Sequence, residues 1–220
     1  MTLDNPQLLI VAGPNGAGKS TFSKDLSAAG AFIFDADKEA AKIEALYPGL
    51  PSESVSYAVE QYFLDCVLDA LNNKRDFTVE TNFRDAGLMT TVNRFKEKGY
   101  VVSIVYIGLD DVKQSMDRVG ARVKGGGHFV DTGSIRYNYI EGLKNFEYFA
   151  GRFDNLEIIN ASENLYELKS LLSVQSREIV FVSSDLPEWA KPVASSIVKQ
   201  FSPRFPKRDD DNEYRGGPRR

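Results

Sequence analysis

Short runs of apolar and β-branched residues alternate along this chain with longer segments in which apolar residues recur every three or four positions. The runs suit strands buried on both faces and the longer segments suit amphipathic helices. Their alternation predicts an α/β fold, a parallel sheet with helices on both faces. Strands are expected at Leu8–Ala12, Ala31–Phe34, Phe77–Glu80, Val101–Ile107, Leu156–Ile159 and Glu178–Val182. Val55, Val59, Tyr62, Phe63, Cys66, Val67, Ala70 and Leu71 form one buried helical stripe, with Cys66 a core residue. Asp85 is expected to cap a further helix that Gly99 ends. Other helices are expected over Asp110–Lys124, Ser134–Phe149, Glu163–Leu172 and Leu186–Phe201, the last with Pro192 disturbing its regularity.

The first strand runs into "AGPNGAGKST". Gly13, Gly18, Lys19 and Ser20 satisfy G-x-x-x-x-G-K-[ST], and strand, loop and helix follow in the required order. Here Gly13, Pro14, Asn15, Gly16, Ala17, Gly18, Lys19, Ser20 and Thr21 would wrap a triphosphate, backbone N–H groups and a helix N-terminus converging on its oxygens. Lys19 would reach the β- and γ-phosphates and Ser20 would offer its hydroxyl to Mg²⁺. The expected fold is therefore a P-loop nucleoside-triphosphatase sheet of the nucleotide-kinase kind. The spacing does not match the dinucleotide-binding G-x-G-x-x-G. "NKRD" at Asn73–Asp76 imitates a guanine-reading motif but leaves a helix instead of a strand end, and reads as a solvated turn.

Two acidic strand ends follow. "AFIFDAD" ends in Asp35 and Asp37, which share one side if the extended backbone continues, one holding Mg²⁺ and the other taking a proton from an attacking hydroxyl. A helix N-cap and a surface turn residue are the other reading. "FTVETNFRD" brings Glu80, Asn82 and Arg84 toward the same crevice as metal or acceptor contacts, unless Arg84 merely pairs with Asp85. "DRVGARVKGGGHFVDTGSIRY" puts Arg118 and Arg122 on one helical face before three glycines, the composition of a cationic lid near residues 118–136. His128, the one histidine, is either a phosphate or acceptor contact or a structural hydrogen-bonder.

"GPNGAGKST", "FDAD", "ETNFRD", "RVGARVKGGGHFV" and "SIRYNYIEGLKNF", in this order and spacing, make most of residues 7–190 resemble the zeta toxins and their chromosomal relatives, P-loop small-molecule kinases. The resemblance implies that Asp37 is the general base on a sugar hydroxyl and that Lys19 and Ser20 serve phosphate and Mg²⁺. It also implies that Glu80, Asn82 and Arg84 bind the acceptor and that Arg118 clamps phosphate. ATP or GTP, Mg²⁺, UDP-N-acetylglucosamine as acceptor and a proteinaceous antitoxin as partner belong to the same implication. The chain departs from the family where Asn82 replaces a threonine and where His128 stands in place of a second clamp arginine, with Arg122 or Arg136 as substitutes.

Composition narrows the remaining choices. With 220 residues, 42% of them hydrophobic, one domain over residues 1–202 is expected, followed by a disordered tail at 203–220 rich in Pro, Gly and both charge signs. A net charge of −4 and the lack of an aromatic-basic strip speak against nucleic acid as partner. One cysteine cannot form an intramolecular disulfide, and no long apolar run suggests a membrane span, so a cytoplasmic setting is expected. One histidine and one cysteine leave zinc and Ser-His-Asp chemistry without support. Besides a nucleotide-sugar kinase, the pattern leaves open a metabolite kinase of shikimate or gluconate type, a polynucleotide 5′-hydroxyl kinase, and a module that binds nucleotide without transferring phosphate.

Overall fold

A computed structural model describes residues 5–164 and 167–202. The chain runs β1 (Gln7–Ala12), α1 (Lys19–Leu26), β2 (Phe32–Asp35), α2 (Ala36–Leu46), α3 (Ser52–Asn73), β3 (Phe77–Thr81), α4 (Leu88–Glu97) and β4 (Val101–Gly108). There follow α5 (Val112–Lys124), α6 (Thr132–Phe149), a 3₁₀ turn (Ala150–Arg152), β5 (Asn155–Asn164), β6 (Glu167–Gln175), β7 (Glu178–Val182) and α7 (Ala190–Phe201).

The strands form one sheet in the order β2-β3-β1-β4-β5-β6-β7. Pairing is parallel from β2 to β5 and antiparallel from β5 to β7, so the sheet is mixed and mostly parallel. Only the β1-to-β2 crossover runs toward the β2 edge. Right-handed connection therefore puts α1 on one face and the helices of the opposite crossovers on the other. The packing agrees. Leu8, Ile10, Ile104 and Tyr106 join residues of α3, α4, α6 and α7 in the main core, while Val11, Val105 and Ile107 pack with Phe22 and Leu26 of α1.

The segment Glu163–Leu172, expected as a helix, is instead the end of β5 and most of β6. A bulge lies behind the mismatch: Ile158 pairs with Leu172 and Ile159 with Ser170, so Leu171 is the extra residue. Leu171 and Leu172 are consequently both buried in the main core, and the two-residue alternation that marks a strand is broken. In the α3 stripe Val55, Val59, Val67 and Ala70 are buried, but Tyr62 is exposed and Cys66 only partly covered, because the helix lies on the core at its margin. Asn73 ends that helix and Lys74 takes a left-handed backbone, so "NKRD" is a helix exit. Asp85 does not hold the cap position of α4; its carboxylate accepts from Gly87 N ahead of the first turn. Pro192 falls in the first turn of α7, where a missing N–H leaves no helical bond unmade. The tail expected at 203–220 lies outside the described residues.

Candidate active site

The phosphate loop leaves β1 and passes directly over β4. A Cβ on Gly13 would stand 2.2 Å from the carbonyl oxygen of Ile107, so only glycine fits. Lys19, at the start of α1, turns back into the loop. Its Nζ donates to the carbonyls of Gly13 (2.8 Å) and Pro14 (3.1 Å) and to Asn82 Oδ1 (2.8 Å). Desolvation by these surroundings lowers the ammonium to about 8; the carboxylates of Asp37, Glu80 and Asp35 oppose that shift and Arg122 adds to it.

Parallel register sets Asp35, at the end of β2, beside Glu80 of β3. Ser20 Oγ donates to Glu80 Oε2 at 2.6 Å, with Asp35 Oδ2 at 3.1 Å as the other acceptor within reach. Ser23, one turn further along α1, donates to Glu80 Oε1 at 2.5 Å. The other oxygen of Asp35 caps α2, accepting from Asp37 N (3.1 Å) and Lys38 N (3.3 Å). The extended backbone thus stops at Asp35, and strand alternation does not relate the two aspartates. Asp37 is the second residue of the helix, because an aspartate cap is worth about 1 kcal/mol and favours starting it there. Burial pushes the Asp35 carboxyl up, but hydrogen bonds from Lys38 and Ser20 outweigh it and hold the group below its ordinary value. Asp37 is exposed, and its carboxylate makes no hydrogen bond or ion pair with any described residue.

The Ser20 hydroxyl and the Asp35 and Glu80 carboxylates are hard oxygen donors of the kind Mg²⁺ prefers. Among the described residues no group of three or more acidic, histidine or cysteine side chains could hold a metal. A divalent cation at this pair would therefore take its remaining ligands from phosphate and water.

Just past β3 the chain makes a turn in which Phe83, fully buried, adopts a left-handed backbone at φ 53°. Such a residue costs about 1 kcal/mol or more and needs outside support. Helix α6 gives it: Asn145 Nδ2 donates to Phe83 O at 2.9 Å, and a Cβ on Gly142 would fall 2.3 Å from Asn82 O. The turn presents Asn82 to Lys19. Arg84 is exposed, with its Nε 3.9 Å from Asp85 Oδ2.

On α5, Arg118 spends its guanidinium on carbonyls: Gly16 (3.4 Å), Ala161 (2.6 Å) and Ser162 (3.1 Å). It ties the phosphate loop to the end of β5. Arg122, one turn on, is exposed and donates to the carbonyl of His128 at 3.0 Å, folding the glycine turn back toward the helix. Its charge acts on Lys19. The side chains of His128 and Arg136 are exposed and make no hydrogen bond or ion pair with described residues. Asn15 of the loop is buried and held from both sides, its carbonyl by Ser115 Oγ (2.5 Å) and its Oδ1 by Asn138 Nδ2 (2.8 Å).

Sequence reasoning missed Ser23, Lys38, Ser115, Asn138 and Asn145. Ser23 was recoverable, since it shares a helical face with Ser20. Lys38 pairs locally with Asp35, but its reach to Glu80, like the contacts of Ser115, Asn138 and Asn145, joins segments far apart in the chain, for which no local pattern exists.

A glycine loop between strand and helix, with its lysine turned inward and an acidic pair on the next two strand ends, defines a P-loop fold of the kinase type. The family model described as Zeta toxin matches residues 2–170, and the chain belongs to the zeta toxin family. An uncharacterized protein of Haemophilus influenzae is 28% identical over 132 residues, 60% of this chain and 91% of that protein. In fold the chain is similar to a protein of the PezAT chromosomal toxin-antitoxin system of Streptococcus pneumoniae, with TM-score 0.61, 13% identity, and coverage of 91% of this chain and 88% of that one. It is also similar to a chain of the AvrRxo1-ORF1:ORF2 complex with ATP, with TM-score 0.63, 15% identity, and coverage of 88% and 64%. No helix among the described residues is long and apolar enough to cross a membrane.

Proposed function

We propose that the protein is an ATP- or GTP-dependent kinase that moves the γ-phosphate to a hydroxyl of a small molecule, UDP-N-acetylglucosamine or another nucleotide-linked sugar. The observation that carries this reading is the Lys19 ammonium held in the loop, while Asp37, just past the neighbouring strand end, is exposed and makes no hydrogen bond or ion pair with a described residue. A site built only to hold nucleotide needs the lysine but not a carboxylate left open at the start of the helix that follows β2.

Asp37 accepts the proton of the acceptor hydroxyl as its oxygen bonds to the γ-phosphorus, and the bond to the β–γ bridging oxygen breaks to release the nucleoside diphosphate. Lys19 exchanges the loop carbonyls for phosphate oxygens and offsets the charge that builds on them. The two arginines divide their duties. Arg118 fixes the loop in place, and Arg122, free on one side, turns to the transferring group. Ser20, Asp35 and Glu80 would hold Mg²⁺, which supplies charge neutralisation on the phosphates when bound. Glu80 and Asn82 would contact the acceptor, His128 and Arg136 would reach it as the turn at Gly125–Gly127 closes, and Arg84 would leave Asp85 to join them. Membership of the zeta toxin family and likeness to a toxin-antitoxin protein support an antitoxin as partner.

The test is incubation with ATP and Mg²⁺ against nucleotide sugars, sugar acids and 5′-hydroxyl oligonucleotides, read by mass spectrometry. A phosphate-sized gain on UDP-N-acetylglucosamine supports the full reading. A gain on another acceptor keeps the kinase and replaces its substrate, and hydrolysis of ATP with no acceptor labelled contradicts transfer.

A further inference from the structure

Lys38 stands where helix electrostatics does not favour a cation. It lies in the first turn of α2, at the positive end of the helix dipole, while its neighbours Asp37 and Glu39 follow the expected preference for acids. Its side chain turns back over the cap, with Nζ 3.2 Å from Asp35 Oδ2 and 3.7 Å from Glu80 Oε1. Those are the two carboxylates that Ser20 also reaches. The lysine side chain is 55% exposed and that of Glu80 is 3% exposed, so the ammonium can swing out to solvent while the carboxylate stays.

We propose that Lys38 is the resident counter-cation of the Asp35–Glu80 pair and keeps free divalent metal off it, so that metal enters with the nucleotide. The inference rests on the kinase reading above and adds a residue to it. A buried carboxylate without a cation is costly, and Lys38 supplies one between turnovers. Two carboxylates and one hydroxyl offer fewer oxygens than Mg²⁺ takes. A free cation therefore competes poorly with a tethered ammonium, whereas a cation already on the phosphates brings part of its coordination shell along and displaces Lys38.

The probe is Mn²⁺ titrated into the full chain without nucleotide and followed by the paramagnetic resonance of the free ion. Lys38→Met should bind Mn²⁺ about tenfold more tightly than the wild type, as loss of one competing charge near a protein surface allows. Lys38→Gln should behave alike, and Lys38→Arg should stay with the wild type. The gain should vanish in the double variant Lys38→Met/Glu80→Gln, and it should shrink when ATP is present. Melting curves identify any variant that fails to fold; for the neutral substitutions the loss of a cation beside Glu80 is partly offset by its removal from an unfavourable helix position, and Ser20 and Ser23 still donate to that carboxylate. Equal Mn²⁺ affinity of wild type, Lys38→Met and Lys38→Gln, or a gain that survives Glu80→Gln, would overturn the role of Lys38 and leave the kinase reading in place. Failure of every form to take up Mn²⁺ alone, or to bind more Mn²⁺ with ATP than ATP binds without protein, would overturn both.

Discussion

Raising the pH should loosen the nucleotide. Lys19 sits at about 8 instead of 10.5 because its surroundings desolvate the ammonium more than nearby carboxylates restore it. A lysine whose folded pKa is lowered is charged below that value and neutral above it. The cation that phosphate needs is therefore lost as the pH rises through 8, where an exposed lysine would remain fully charged. For a ligand that binds only the charged form, the apparent dissociation constant scales as one plus ten to the power of pH minus pKa. Affinity then falls about tenfold between pH ~7 and pH ~9. The assay is calorimetric titration of a non-hydrolysable triphosphate analogue across that range, with Lys19→Arg in parallel. The guanidinium stays charged throughout, so the variant should bind more weakly but with a flat profile. A flat wild-type profile would refute the argument that burial controls the charge of Lys19.

Three further substitutions read other parts of the site. Gly142→Ala puts a Cβ 2.3 Å from the backbone of Asn82, which α6 or the end of β3 must yield to. Overpacking of this kind costs about 1–3 kcal/mol and should lower the melting temperature by roughly 2–10 °C in calorimetry, with weaker nucleotide binding as Asn82 leaves Lys19. An unchanged melting temperature would count against so close an approach. Arg118→Ala removes the tie between loop and β5 and should cost about 1–2 kcal/mol of stability while raising KM for the nucleotide. Arg122→Ala, at an exposed position, should leave melting within about 0.5 kcal/mol of the wild type and lower kcat instead; kinetics that reversed these two patterns would exchange the roles assigned to the arginines.

What could be read in advance follows from how local each signal is. The phosphate loop was legible because its residues are contiguous and its strand and helix flank it. That Asp35 and Glu80 approach one crevice was legible because both close apolar runs that end at the same side of a parallel sheet; that Asp35 pairs with Glu80 and not with Asp37 was not. The β6 strand was not, because the bulge at Leu171 sets two consecutive leucines inside and imitates helical spacing. The position of Asp37 turned on a competition between strand extension and capping that a few residues cannot decide. Asn145, Gly142 and Asn138 were invisible for another reason. Each acts through the packing of α6 against segments about 60 or 120 residues earlier in the chain, and only the assembled fold brings them there.

The role of Asp37 bears the whole account. Once an acceptor is labelled, steady-state turnover of Asp37→Asn should be compared with the wild type while nucleotide affinity is measured alongside. The account predicts a kcat lower by about 10²–10⁴-fold with nucleotide affinity preserved, the signature of a lost general base. Turnover unchanged at equal binding would contradict it, and the proton would then have to leave by another route.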